Sequence, residues 1–341
     1  MTRRPDPARE HDDVPLDLIQ REFLDDLKFR ASASHHRNVK WSITKALAAL
    51  NVELLGDLQP IHVIRYRNQL REGGLANRTA NMVVDRLRTM LNWALGCGLI
   101  DSNPLRNIRK LPCTAQHQRY RRRALTDEEI DRFLAAAEAD DRETARVFWE
   151  QEANEGERWK RRRVGERVPQ APMWLGFLET GARWSEMTNT RWTDLSVETR
   201  TLVLRAETTK SKKRRVIPLR EQMITALKEL REHHEQIFED KLEDSDPIFL
   251  SPEGVPWCTA TRNCMRIFDR VLVRAKVARV DAEGRKLDIH ALRHTFGSRL
   301  ARRGVGLVQV QRLMGHSDPK LTAQVYTHLD VEDLRRAVEM A

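Results

Sequence analysis

Four stretches between Leu16 and Leu111 repeat apolar residues three or four positions apart and end in glycine or polar breaks: "LIQREFLDDLKFR", "HRNVKWSITKALAALN", "QPIHVIRYRNQLREGG" and "NRTANMVVDRLRTMLNWALGCG". That period is the signature of amphipathic helices. In the last stretch Val83, Leu87, Met90, Leu91 and Ala94 form one stripe, with Arg78, Arg86 and Arg88 off it. The pattern predicts a helical bundle over residues 15–111 with a basic face, preceded by a polar, frayed terminus over 1–14.

The period is lost in "DSNPLRNIRKLPCTAQHQRYRRR", where proline and arginine accumulate. Residues 112–123 therefore read as a linker, with Arg121, Arg122 and Arg123 at its end able to meet a polyanion. A second domain, 124–341, restarts at "ALTDEEIDRFLAAAE", where Thr126 and Glu129 have the spacing of a capping box. Residues 139–170 are dense in charge and poor in apolar stripe, and read as an insertion without an assigned role. "MWLGFLETGARWSEMTNTRW" predicts a helix, a glycine turn and a second helix. "TLVLRAETTKSKKRRVIPLR" predicts a hairpin, with strands Leu202–Ala206 and Arg215–Leu219 around a basic turn. Residues 221–240, 259–277, 290–303, 307–314, 318–328 and 331–340 read as helices. The expected fold is mainly α, with an α+β second domain holding a small antiparallel sheet.

A chain of 341 residues with 40% hydrophobic content can build two cores. It has no run of 18 apolar residues and no apolar leader segment, so the expected location is cytoplasmic and nucleoid-associated, without a membrane. Cys97, Cys113, Cys258 and Cys264 form no CxxC pair and read as reduced thiols. The charge is uneven. Residues 1–124 carry 22 Lys and Arg against 13 Asp and Glu, while the remainder carries 38 against 37. A basic first third points to a polyanionic partner, of which nucleic acid is the commonest, or to solvated arginine alone.

Several chemistries lack their residues. No glycine precedes a lysine, which excludes a Walker A loop. The pairs Asp12/Asp13, Asp25/Asp26 and Asp140/Asp141 are adjacent, and neighbouring side chains on a helix point apart, so none makes a metal dyad. "HALRH" spaces His290 and His294 as two zinc ligands would be, without the glutamate of HExxH or a third ligand. No metal and no cofactor are expected. What remains is a set of cations and one phenol: Arg183 after a Thr-Gly turn, Lys210 in the basic turn, then His290, Arg293, His316 and Tyr326 on successive helices. Singly, each has an ordinary structural reading.

Together, "TGARWSE", "TTKSKKRRVIPL", "HALRHTFGSRL" and "LMGHSDPKLTAQVYTH" resemble the boxes of the tyrosine recombinases, or phage integrase family. "LANRTANMVVDRLRTMLNWALGCGLIDSNP" in front of them is similar to the last helices of that family's core-binding domain. The resemblance implies a site-specific DNA recombinase that cuts and rejoins double-stranded DNA, as a homotetramer on two duplexes. Arg183 and Arg293 match the phosphate-clamping arginines, Lys210 the hairpin lysine, His290 and His316 the two histidines, and Tyr326 the nucleophile. Arg78, Arg86, Arg88, Arg121, Arg122, Arg123, Lys212 and Lys213 are the expected DNA contacts. The chain departs from the pattern in four places: Tyr326 follows His316 by ten residues, one more than in many members, Thr190 and Ala182 stand where larger apolar residues are common, and the 139–170 insertion is longer than usual.

These residue types suit phosphodiester exchange. Two guanidiniums can grip the non-bridging oxygens as charge gathers there, without a metal. A phenol with a pKa of about 10 needs a base or a cationic field to attack at neutral pH. His290 is the expected proton acceptor, His316 a hydrogen-bond donor to the phosphate, and Lys210 the acid for the leaving 5′ oxygen. A phosphotyrosyl ester conserves the bond energy, so no ATP is needed. Two other readings fit the same boxes: a DNA-binding protein without chemistry, and nicking and resealing of one duplex like a type IB topoisomerase. The last helix, "DVEDLRRAVEMA", is amphipathic enough to dock on a neighbouring subunit or to pack on its own.

Overall fold

The computed structural model describes residues 13–114, 121–144, 167–209, 212–238, 242–259 and 264–326, with Arg335 and Glu339. It divides into two units, Met1–Arg119 and Tyr120–Ala341. Within the described residues no helix is long and apolar enough to cross a membrane.

The first unit is four helices: α1 (Leu16–Arg30), α2 (Ala33–Leu50), α3 (Pro60–Glu72) and α4 (Asn77–Gly96). Ser32 caps α2 by accepting from the His35 amide, and Pro60 opens α3, where its missing N–H costs nothing. Ile19, Phe23, Ile43, Val63, Leu87, Met90 and Leu91 close the core. The stripe of α4 is confirmed with one change: Val84 is buried and Val83 only packs at the edge.

The other side of α4 is not the open basic face that the sequence suggests. Asn77 Nδ2 donates to Pro112 O at 2.7 Å, and Asn81 exchanges two hydrogen bonds with the backbone of Leu111, at 2.8 and 2.9 Å. Arg88 donates to Leu105 O and Ile108 O and pairs with Asp85. Buried backbone must find partners, and these side chains supply them, strapping residues 103–112 onto the helix. Arg88 is thus committed inside the unit, where a DNA contact was expected. Arg86 donates to Asn38 O, and Arg78 is exposed.

The second unit runs α5 (Asp127–Thr144), α6 (Ala171–Thr180), α7 (Trp184–Thr188), β1 (Leu195–Ser196), β2 (Thr201–Leu204), β3 (Arg215–Pro218), α8 (Glu221–Ile237), α9 (Met265–Arg274), α10 (Ile289–Arg302), α11 (Leu307–Met314) and α12 (Pro319–Tyr326). The sheet is antiparallel in the order β1-β2-β3, one strand more than the hairpin expected; Ala206 belongs to a 3-10 turn after β2. Leu202 pairs with Ile217 and Leu204 with Arg215. Helix α6 is buried from Met173 to Thr180, as befits a helix apolar all round. Its Trp174 packs with Phe133, Phe177 and Phe268 in the centre of the core.

Both ends of the expected 139–170 insertion belong to this core. Asp140 is buried in a two-bond pair with Arg270, and Asp141 Oδ2 accepts from the amides of Gln170 and Ala171 that open α6. Gln170 itself bonds Val168 O, Leu250 O and the Trp257 indole. Residues 145–166, the terminus 1–12, residues 115–120 of the linker and the final helix expected at 331–340 (save Arg335 and Glu339) lie outside the described residues.

Candidate active site

Three turns converge in the second unit. The first ends α6 at Gly181, whose φ of +59° suits glycine. A Cβ there would stand 2.3 Å from Phe296 Cδ1, so glycine also lets α10 pack against the turn. Arg183 follows and caps α7, its amide donating to Glu186 Oε2 at 2.8 Å. The second turn ends α11 at Gly315, with φ +63°, where a Cβ would meet the Arg215 guanidinium at 2.1 Å. The third is the turn between β2 and β3, closed by Thr209, whose hydroxyl donates to Lys213 O and accepts from Lys213 N.

Helix α10 carries Arg293 between the first two turns. Its side chain is 2% exposed and donates to the carbonyls of Gly181 and Met314. Arg183 lies beside it, 21% exposed, pairing with Glu186 Oε1 at 2.6 Å and donating to Gly315 O. Arg215, pointing inward from β3, places Nη2 2.7 Å from Glu186 Oε2, and Arg293 Nη1 lies 4.0 Å from the same oxygen. Glu186 is fully enclosed. Burial pulls its carboxyl up, but hydrogen bonds and charge from Arg215 and Arg183 outweigh this and hold it below the usual range. Three guanidiniums around one carboxylate leave an excess of two positive charges, with Arg183 the member that reaches solvent. Burial, then the repulsion of Arg183 and Arg215, pushes Arg293 down to about 9, so it stays charged at neutral pH.

Two histidines flank the cluster. His316 follows Gly315, and its Nδ1 stands 2.8 Å from Thr322 Oγ1, one turn before Tyr326 on α12. Loss of solvent, then Arg293 and Arg183, pushes His316 down to about 4. His290 sits in the first turn of α10, its ring 6.1 Å from that of His294. Its edge reaches solvent, yet the atoms packed round the ring desolvate it, and Arg122 and Arg293 add repulsion, so it too falls to about 4. Both imidazoles are neutral at pH 7, able to accept a proton or to donate one hydrogen bond.

Arg183, His290, Arg293 and His316 are thus brought together. Tyr326 is the last residue of α12, and Lys210 lies outside the described residues. Lys212 and Lys213 are exposed just before β3. Arg122 and Arg123, expected to meet DNA, are paired within the unit: Arg122 with Asp288, Arg123 with Glu129. Sequence reasoning passed over Glu186 and Arg215. Their signals were the three-residue spacing from Arg183 and a charged residue on the inward face of a strand. Thr190, a departure from the family pattern, satisfies its buried hydroxyl on Met187 O, and Ala182 is fully buried.

Residues 166–333 match the model of the phage integrase family. A XerC-like tyrosine recombinase of Caldanaerobacter subterraneus subsp. tengcongensis is 25% identical over 335 residues, spanning 89% of this chain and 75% of its own. The tyrosine recombinase XerA of Thermococcus kodakarensis is 28% identical over 291 residues, 84% and 83% of the two chains. In fold, the chain is similar to a lambda integrase tetramer bound to a Holliday junction, with a TM-score of 0.65 at 18% identity over 97% of this chain and 83% of that one. It is similar also to the Tn1549 transposon integrase in complex with circular intermediate DNA, with a TM-score of 0.62 at 19% identity over 95% and 99%.

Proposed function

We propose that this chain, which matches the phage integrase family over residues 166–333, is a DNA breaking and rejoining enzyme and a site-specific recombinase whose phosphate site is the cationic cluster of Arg183, Arg215 and Arg293. The observation that carries this reading is the excess positive charge around Glu186, opening to solvent through Arg183 between two neutral histidines. A phosphodiester entering there meets guanidiniums already fixed by backbone carbonyls, which lowers the reorganisation needed as charge builds on its oxygens.

Tyr326 attacks phosphorus; its proton passes to His290, and the bond to the 5′ oxygen breaks as that oxygen takes a proton from Lys210. His316, oriented by Thr322, donates to a non-bridging oxygen. A 5′-hydroxyl from a second duplex reverses these steps and joins new partners. Exchange between two duplexes calls for four copies of the chain, in keeping with the tetramer known for lambda integrase. The first unit contributes contacts to phosphates, for which exposed Arg78, Lys40 and Lys45 are available.

A duplex nicked just 3′ to the scissile phosphate, drawn from candidate attachment repeats, tests the reaction. The unsubstituted protein is expected to accumulate a covalent protein–DNA adduct that Tyr326→Phe abolishes. Salt-sensitive binding with no adduct would indicate DNA binding without chemistry, and relaxation of supercoiled plasmid without joint products would indicate a nicking and resealing enzyme.

A further inference from the structure

Arg122 sits in the segment that enters the second unit, and its Nε lies 2.9 and 2.8 Å from the two carboxylate oxygens of Asp288. Asp288 is the N-cap of α10, and its Oδ1 also accepts from the Ala291 amide at 2.9 Å. Both lone-pair directions of one oxygen are therefore engaged, one by the helix and one by the arginine. The backbone around Arg122 is seated as firmly. Lys286 N donates to Arg121 O at 2.7 Å, Arg122 pairs with Lys286 as a parallel bridge, and Arg123 bonds Glu129 at 2.6 and 2.9 Å. Of the basic triplet that reads as a DNA contact in sequence, Arg122 braces the first turn of α10 and Arg123 the start of α5.

That turn carries His290, two residues after Asp288. The charged and titratable groups facing its ring are Arg122 from the entering segment, and Arg293, His294 and Asp288 from α10 itself. Arg122 is the one cation among them that comes from outside the helix. The others belong to the same helix as His290, whereas Arg122 belongs to the segment that precedes α5.

We propose that Arg122 is a positioning residue for His290, holding the Asp288 cap and a fixed positive charge beside the imidazole, so that the seating of the entering segment sets how readily His290 takes a proton. The inference rests on the reading of His290 as the proton acceptor. Burial first, and the Arg122 charge second, hold His290 below the usual imidazole range, and an anion arriving at the site acts in the opposite direction. A segment displaced from its seat would remove that cation and raise the pH at which the histidine takes a proton.

The test is a titration of the full chain carrying 13C-labelled histidines, with the His290 signal assigned by its loss in His290→Gln. In Arg122→Gln the His290 midpoint is expected to rise by about one pH unit, and in Arg122→Lys, which keeps a cation, to stay near the parent value. An unchanged midpoint in folded Arg122→Gln, or an equal rise in Arg122→Lys, overturns the inference. If Arg122→Gln does not fold, Arg122→Met, which keeps the apolar stem, is read by the same criterion. The acid limb of adduct formation on the nicked duplex should move with the midpoint. Absence of any adduct from the unsubstituted protein would count against the recombinase reading alone, because the titration needs no DNA.

Discussion

Glu186 and Arg215 meet with their charged atoms 2.7 Å apart and both side chains buried, one from α7 and the other from β3. The pair ties the sheet to the helical layer. It also supplies the negative charge that lets three guanidiniums stand together.

Removing that charge should be costly. Glu186→Ala leaves Arg183, Arg215 and Arg293 facing one another without a counter-charge, and breaking a buried pair in this way costs about 3–5 kcal/mol. Glu186→Gln keeps two acceptor lone pairs and should cost less than the alanine variant. Urea unfolding of the two variants against the parent measures the loss; a Glu186→Gln variant as stable as the parent would refute the charge argument.

Gly181 is held to glycine by two independent constraints, while Gly304 has only one. Gly181→Ala must accept φ +59° and a Cβ 2.3 Å from Phe296, whereas Gly304→Ala accepts φ +74° with nothing within 4 Å. The strained backbone alone costs about 1–2 kcal/mol, and the clash at Gly181 should add at least as much again. Thermal melts should place Gly181→Ala well below Gly304→Ala, with DNA binding lost at Gly181 because Arg293 hangs on its carbonyl.

His234 is buried between Trp192 and Phe238, and among the described residues neither ring nitrogen has a hydrogen-bond partner. Burial, with His233 adding repulsion, pushes it down to about 3. Above pH 6.5 folded and unfolded chains are both neutral there, and stability is complete. Between about 6.5 and 3 only the unfolded chain takes the proton, so stability falls as pH falls. From pH 7 to pH 5 this one group should remove ~2 kcal/mol. His234→Phe, aromatic and without nitrogens, should show a correspondingly smaller drop in urea midpoint between those pH values.

DNA binding should take up protons. His290 and His316 are each pushed down to about 4, chiefly by lost solvent and then by the arginines around them. A phosphate anion beside them acts in the opposite direction and raises both. Affinity should therefore increase as pH falls from 7 towards 5.5, by roughly threefold to tenfold more than in a His290→Gln/His316→Gln double variant. Fluorescence anisotropy with a labelled duplex at the two pH values measures this; parallel curves for parent and double variant would dismiss it.

The helices of both units were legible because apolar residues recur at helical spacing over long stretches. Where the sequence misled, two placements satisfied the same local pattern. Val83 and Val84 are equally apolar, and only packing against the bundle selects Val84. Arg88 and Arg122 look like free cations, and are instead tied to partners because the carbonyls of Leu105 and Ile108 and the carboxylate of Asp288 arrive from elsewhere in the chain, although Arg122 stays exposed to solvent. Strand β1, at two residues, is too short to show an alternation. Within the site, each box was visible on its own. The enclosure of Glu186 was not, because it depends on β3 and α10 closing over α7 from distant positions in the sequence.

Arg293 takes its two carbonyl partners from residue 181, 112 positions before it, and residue 314, 21 positions after it. A chain still emerging from the ribosome, with α6 made and α11 not yet folded, holds that guanidinium by one hand only. A copy truncated before α11 therefore carries most of the boxes with only half of the grip on that arginine.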